Sequence, residues 1–352
     1  MSIQTTKSRV RGAIIGTAIG DALGMPVEGL KPDTILERYG SVRSFLAPKK
    51  GTWAKRSHNL ARGQWTDDTQ LMLAIGESIV DRGCLDFGDI AKRHILTMKE
   101  KRGWGGSTIT GISKIKAGVN WWNSAKPDGA GNGTPMKIAP IGVLLGLRKI
   151  AEFEFSSTVV NISRMTHGDP RPAVAGILQA SAIACGIIGG PKGLCASIIN
   201  SPHHARALEE TFGKASQGPQ ISECLDKALD LACTSSVSQI RNAVGAGCFV
   251  AESFPFTFAL VWKLGDDPES CLQTIINQGG DADTTGAMAG ALLGSAYGLS
   301  GFPSRWRRGL EAYKRLLSLA DKMFDMPPPG ERPKVSGAFS RPKIGYSKGA
   351  GK

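Results

Sequence analysis

Two stretches of this chain place a glycine at every fourth residue. One is Arg11–Gly29 (R-G-A-I-I-G-T-A-I-G-D-A-L-G-M-P-V-E-G), with Gly12, Gly16, Gly20 and Gly24. The other is Asn277–Gly298 (N-Q-G-G-D-A-D-T-T-G-A-M-A-G-A-L-L-G-S-A-Y-G), with Gly286, Gly290, Gly294 and Gly298. Four-residue spacing keeps such glycines on one stripe of an α-helix, where a second backbone can approach closely. Two glycine-faced helices that pack on each other, or cross the same core element, are therefore expected. Pro26 ends the first and leaves Glu28 just beyond it, where residues alone read it as a solvated loop acid.

The rest of the chain reads as helical too. Helical patterns run over 70–80, with Thr66 at the N-cap and Asp67 and Asp68 in the first turn, then over 86–101, 109–118 and 138–150, and residues 158–166 lead into T-H-G-D-P. They continue over 170–186, 192–199, 203–214, 221–231, 236–245, 268–276 and 304–324, while 254–262 is aromatic and apolar. Residues 30–64 are expected to be loop-rich. Alternating strand-like runs are scarce, so the expected fold is all-α: one large domain over 8–325, a flexible N-terminus over 1–7 and a disordered basic tail over 326–352, which is rich in Pro, Gly and Lys.

The 352 residues carry a formal net charge of +13, concentrated in three places. Residues 1–11 and 46–64 carry bases and no acid, and 326–352 is strongly basic, so the remainder is close to neutral. Such stretches suit an anionic partner, nucleic acid included, through the basic loop 46–64. No run of about 18 apolar residues implies a membrane span. Lys7, Arg9 and Arg11 before Gly12–Gly20 look like a short signal peptide, but Asp21 argues against cleavage. The seven cysteines are odd in number and form no C-x-x-C, which fits free thiols in a reducing cytoplasm. A monomer is expected.

The chemistry lies in two acidic helix starts, Thr66-Asp67-Asp68-Thr69 and Asp281-Ala282-Asp283-Thr284-Thr285. One carboxylate at a helix start is an ordinary N-cap, but two beside threonines exceed what capping needs, and adjacent acids repel. Asp281-x-Asp283-x-Thr285-Gly286 imitates half of a calcium loop, yet the twelfth position is Leu292 instead of Glu. No Cys/His spacing suits zinc, His203-His204 reads as helix surface, and no G-x-x-x-x-G-K-[ST] occurs. Hard oxygen donors at this density suit Mg²⁺, Mn²⁺ or Ca²⁺, and if the turns face each other they could carry a pair of ions.

The pairing of T-D-D-T (66–69) with G-G-D-A-D-T-T-G (279–286) resembles the ADP-ribosylglycohydrolase family. So do the N-terminal G-x-x-x-G-D-A-L-G, G-N-G-x-x-M-K-x-A-P (131–140) and T-H-G-D-P (166–170), in the same order and spacing. The resemblance implies an all-α fold with two Mg²⁺ ions, or Mn²⁺, bound by Thr66, Asp67, Asp68, Asp281, Asp283 and Thr284 and holding the distal ribose of ADP-ribose. It implies glycine-rich loops that cradle the diphosphate, with Gly105, Gly106, Ser107, Asn132, Gly133 and Thr134 as candidates, and His167 near the nucleotide. The reaction implied is hydrolysis of the bond between ribose C1″ and an acceptor side chain. Glu28 stands where family members that act on serine carry a catalytic Glu, and Asp67, Asp68 and Asp283 are further candidates in catalysis.

There is one departure. Family members that act on arginine in nitrogenase regulation carry an extra Asp between the T-D-D-T helix and the G-N-G turn, and here residues 101–127 contain no Asp or Glu. The expected substrate is an ADP-ribosylated protein, a toxin or its target included. Alternatives are ADP-ribosylated nucleic acid, a small ADP-ribose conjugate, or a binding and immunity module that neutralises an ADP-ribosylating toxin.

Overall fold

The structure, a computed structural model, describes residues 2–52 and 59–328. Residues 53–58 of the basic loop and 329–352 of the basic tail lie outside the described residues. The helices follow in order as α1 (Ile3–Gly24), α2 (Pro32–Tyr39), α3 (Asp67–Arg82), α4 (Phe87–Thr97), α5 (Gly106–Lys116), α6 (Ala139–Gly146), α7 (Glu152–Arg164) and α8 (Pro170–Ile199). Then come α9 (Ser201–Phe212), α10 (Ile221–Thr234), α11 (Val237–Val244), α12 (Val250–Leu264), α13 (Pro268–Asn277), α14 (Ala282–Tyr297), α15 (Ser304–Arg308) and α16 (Tyr313–Asp325). Among the described residues there is no strand, only isolated bridges at Lys126–His167 and Gly131–Phe249. The fold is all-α.

The two glycine stripes meet. α1 and α14 run antiparallel with their backbones in contact. A Cβ built on Gly20 would lie 1.8 Å from the Gly286 carbonyl oxygen, on Gly16 2.2 Å from that of Gly290, and on Gly12 2.1 Å from that of Gly294. No real Cβ approaches so closely, so this crossing is available only to glycine. Its geometry decides what lies at the ends: antiparallel packing sets the C-terminal end of α1, with Asp21, beside the N-terminal end of α14, with Asp281 and Asp283. α8 crosses the pair from the other side; Gln179 of α8 donates to the Met288 carbonyl at 3.0 Å. The surrounding core is one continuous apolar cluster in which Ile14, Ile15, Ile19, Phe254, Phe258, Leu292 and Trp306 are wholly or almost wholly buried.

Several expectations are corrected. Residues 3–7 are not a flexible terminus. They form the first turns of α1, where the Ser2 side chain accepts from the Thr5 amide. Arg11 pairs with Asp321 of α16 through Nε and Nη2 at 2.7 and 2.8 Å, and Lys7 lies 3.7 Å from the same carboxylate. The loop-rich stretch contains α2, a short helix started by Pro32 with only Ile35 buried, too small an apolar face to stand out in the sequence. The pattern over 304–324 is two helices, broken where Ala312 takes a left-handed φ of 52°. The break expected after Gly186 is a kink at Gly190 (φ 63°), before Pro191, inside one helical run. That run, α8, is long and apolar enough to cross a membrane, but 78% of its most apolar window is buried inside the fold.

Candidate active site

Asp21 organises the site. It is fully buried on α1, and its two carboxylate oxygens accept four hydrogen bonds from the N-cap and first turn of α3. These come from the Thr66 amide (2.8 Å), the Thr66 hydroxyl (2.9 Å), the Thr69 amide (3.1 Å) and the Thr69 hydroxyl (2.6 Å). The start of α3 is thus capped by a carboxylate from another helix. Thr66 holds the N-cap position without capping its own helix; its hydroxyl also faces Asp68 (3.2 Å) and Asp283 (3.3 Å). From the other side, the Thr284 hydroxyl reaches Asp68 at 3.4 Å. The two acidic turns therefore face each other.

Asp281 likewise sits at the N-cap of α14 without capping it. Its carboxylate accepts from the Asn132 carboxamide at 2.6 Å, and Asn132 also donates to Ser253 at 3.0 Å. Gly279 and Gly280, both at positive φ, turn the backbone so that Gly280 accepts from Gly29 (2.7 Å) and donates to Leu30 (2.9 Å). This pairing brings the segment carrying Glu28 onto the acidic turn. Ligand-capable oxygens of Asp21, Asp68 and Asp283 lie within 4.8 Å of one another, as do those of Glu28, Asp281 and Asp283. Asp283 belongs to both trios.

So many buried carboxyl groups cannot all stay ionised without compensating charge. Burial pushes Asp21 up to about 6, against the pull of the Thr69 and Thr66 hydrogen bonds. Asp67 is pushed up to about 8, first by burial and then by Asp21 and Asp281, with Lys137 acting in the opposite direction. Burial first, and neighbouring carboxylates second, carry Asp68, Asp283 and Glu28 well above the ordinary range. The cation facing them, Lys137, is itself fully buried, its Nζ has no hydrogen-bond partner, and burial lowers it to about 8. Asp68 Oδ1 is buried and unpartnered as well. Oxygen-only donors, a carboxylate shared between two trios, an orphaned oxygen and a shortage of positive charge together fit hard divalent cations.

The glycine-rich segments converge beside this centre. Gly105 is the N-cap of α5; Gly105 and Gly106 are exposed with open space around them, so the first-turn amides of α5 face outward without intrahelical partners. Ser107 faces Gly129, whose Cβ would meet its hydroxyl at 2.8 Å. Gly133 lies against His167, where a Cβ would stand 2.6 Å from the imidazole. His167 is buried, shares a 2.7 Å hydrogen bond with the Thr166 hydroxyl and is driven down to about 3, mainly by burial, so the ring is neutral. Two of these candidates are otherwise engaged: the Asn132 amide donates to Cys248 (3.1 Å), and the buried Thr134 hydroxyl donates to Ser163 (2.9 Å). Asn132 thus orients Asp281.

Neither Asp21 nor Lys137 is among the candidate residues named from the sequence. Each carried a signal: an acid inside a glycine-striped apolar helix, and a lysine followed at once by the apolar run Ile138–Leu145.

An all-α fold that joins two acidic helix starts and glycine-rich loops into one centre is the architecture of the ADP-ribosylglycohydrolases, a family of hydrolases. The ADP-ribosylglycohydrolase family model matches residues 2–332, and the chain belongs to that family. It is 31% identical to the ADP-ribosyl-[dinitrogen reductase] glycohydrolase of Rhodospirillum rubrum over 316 residues, covering 88% of this chain and 93% of that one. It is 25% identical to the ADP-ribosylarginine hydrolase Tri1 of Pseudomonas putida, covering 91% and 79%. It is 26% identical to the human ADP-ribosylhydrolase ARH3, covering 90% and 93%. A solved structure titled an ADP-ribosylglycohydrolase-related protein complex superposes with a TM-score of 0.69 at 26% identity, covering 92% of this chain and 99% of that one.

Proposed function

We propose that this protein removes ADP-ribose from a modified protein side chain, of arginine or serine type, in a reaction that depends on two Mg²⁺ ions, with Mn²⁺ as a substitute. The observation that carries the reading is the pair of carboxylate trios sharing Asp283, set beside two glycine-rich loops. Thr66, Asp67, Asp68, Asp281, Asp283 and Thr284 would hold the ions, with Asp21 anchoring Thr66 and Thr69. Bound ions would orient the ribose hydroxyls and keep the surrounding carboxylates ionised.

The chain's own groups account for the rest. The outward amides at the start of α5 and the loop around Gly133 bind the diphosphate through backbone N–H groups. His167, neutral and fixed by Thr166, contributes shape and a hydrogen bond without adding charge. Glu28 accepts a proton from the attacking water as the water oxygen bonds to C1″; the C1″–acceptor bond breaks, the acceptor heteroatom leaves with the bonding pair, and Glu28 passes the proton on to it. Nearby carboxylates stabilise the positive charge that develops on the ribose. Free thiols at all seven cysteines support a reducing, cytoplasmic setting.

The test is turnover of arginine-linked, serine-linked and nucleic-acid-linked ADP-ribose in Mg²⁺ and in EDTA. Wild type should cleave one protein-type conjugate only in Mg²⁺. Asp283→Ala, which removes a member of both trios, should lose Mg²⁺ binding together with turnover, and Glu28→Ala, which removes a member of one, should weaken Mg²⁺ binding less while losing about 100-fold or more in rate. Failure of wild type to cleave any conjugate in Mg²⁺ sinks the reading. Cleavage of the nucleic-acid conjugate alone, with strong salt dependence, would instead favour a role for the basic loop 46–64, where Lys49, Lys50 and Arg62 are exposed.

A further inference from the structure

Gln64 and Trp65 lead directly into the acidic turn, and Arg102, Gly103 and Trp104 lead directly into the glycine loop of α5. The two are irregular segments from different parts of the chain, and both converge on Glu311, in the short connection between α15 and α16. Glu311 Oε1 accepts from the Gln64 carboxamide at 2.9 Å and from Arg102 Nη2 at 3.2 Å, while Oε2 accepts from Arg102 Nη1 at 2.5 Å. The Glu311 backbone adds two more bonds: its amide donates to Gly63 (2.9 Å) and its carbonyl accepts from the Trp65 indole (3.2 Å). Arg102 closes the unit. It donates to the Trp65 carbonyl at 3.2 Å, and its guanidinium lies over the Trp65 ring at 4.6 Å. Gln70, one turn into α3, accepts from the Arg102 amide and the Trp104 indole, both at 3.1 Å.

This unit is half-buried, with side-chain exposures of 22% for Arg102 and 25% for Glu311. A two-pronged charged pair in such a position is stronger and more directional than a surface ion pair. None of its members belongs to the carboxylate trios or the candidate diphosphate cradle. Its role is therefore to set the distance and angle between those two parts. A displacement of about 1 Å between binding elements is enough to cost two orders of magnitude in rate.

We propose that Glu311, through Arg102, is a positioning residue that holds the acidic ion-binding turn in register with the phosphate-binding glycine loop. The inference rests on the reading above that the two parts bind divalent ions and the diphosphate of one ligand.

The test uses the full chain and measures binding as well as rate. Glu311→Ala keeps both backbone bonds of residue 311, so the fold should survive. Calorimetry with Mg²⁺ alone, and with ADP-ribose in saturating Mg²⁺, should show Glu311→Ala weakened about tenfold or more for ADP-ribose, in the range seen when partners that orient a ligand shell are lost. Arg102→Ala should show a similar loss, and the double variant should be no worse than either single one, because the two act as one unit. Arg102→Lys keeps the charge but not the fork and should recover only part of the affinity.

Wild-type ADP-ribose affinity in Glu311→Ala, with or without a lower melting temperature, overturns the proposal while leaving the functional reading intact. Fully additive losses in the double variant also overturn it. A wild-type protein that binds neither Mg²⁺ nor ADP-ribose overturns both.

Discussion

Replacing Gly20 by alanine tests whether the α1–α14 crossing sets the geometry of the site. The added methyl would stand 1.8 Å from the Gly286 carbonyl oxygen, where ordinary contact begins at 3.4 Å, so the backbones must part by roughly 1.5 Å. The clash is with backbone, not with a side chain that can swing away. Overpacking of this kind costs about 1–3 kcal/mol where side chains can adjust, and the upper end or beyond is expected here. At about 2 °C per kcal/mol for a long chain, the melting temperature should fall by about 6 °C.

Asp21 is the next residue, so the same displacement should loosen its four bonds to Thr66 and Thr69 and weaken Mg²⁺ binding by about tenfold or more. Thermal unfolding by circular dichroism and Mg²⁺ calorimetry measure the two effects. Gly189→Ala, in a helix with open space around the new methyl, is the control and should be neutral or stabilising by up to about 1 kcal/mol. A Gly20→Ala protein that melts within about 1 °C of wild type and binds Mg²⁺ equally well refutes the argument.

Two further outcomes follow from the carboxylates. In EDTA the folded protein holds protons on Asp67 up to about pH 8 and on Asp21 up to about pH 6, whereas the unfolded chain releases them near pH 4. The stability from those protons is complete below about pH 4 and is lost as pH rises through the folded values, so the melting temperature in EDTA should fall between pH 5 and 8.5. Mg²⁺ should reverse the trend; a flat or rising profile in EDTA contradicts the charge assignment. Asp21→Asn replaces one acceptor oxygen by an NH2 donor that faces the amide and hydroxyl donors of Thr66 or Thr69, and should cost about 3 kcal/mol in Mg²⁺. In EDTA the cost should be smaller, because a charge repelling Asp68 and Asp67 is gone, and equal melting losses in the two conditions would contradict this account.

The glycine stripes and both acidic turns were legible because each is a local pattern: a period of four, or acids packed beside threonines. Thr66 was placed correctly at a helix start, but its hydroxyl serves Asp21 and Asp283 instead of capping, a choice made by a neighbouring helix. Asp21 was not legible as a site residue because its partners lie 45 and 48 positions away. The Arg102–Glu311 pair spans 209 positions and leaves no local trace at either end. Glu28 read alone as a surface acid. Only the reciprocal pairing of Gly29 and Leu30 with Gly280 brings it inward.

The two acidic turns are 217 positions apart, as measured from Thr66 to Asp283, and the crossing that unites them needs α14. During synthesis, a ribosome-bound chain that has not yet released α14 has α1 with its glycine face uncovered and Asp21 and Asp68 without Asp283. Under the proposed function, affinity for divalent ions therefore arises late, when the first helix finds its distant partner. Such long-range closure is slow and leaves apolar surface open meanwhile. Under the proposed function, ion uptake then reports that the two glycine stripes have met.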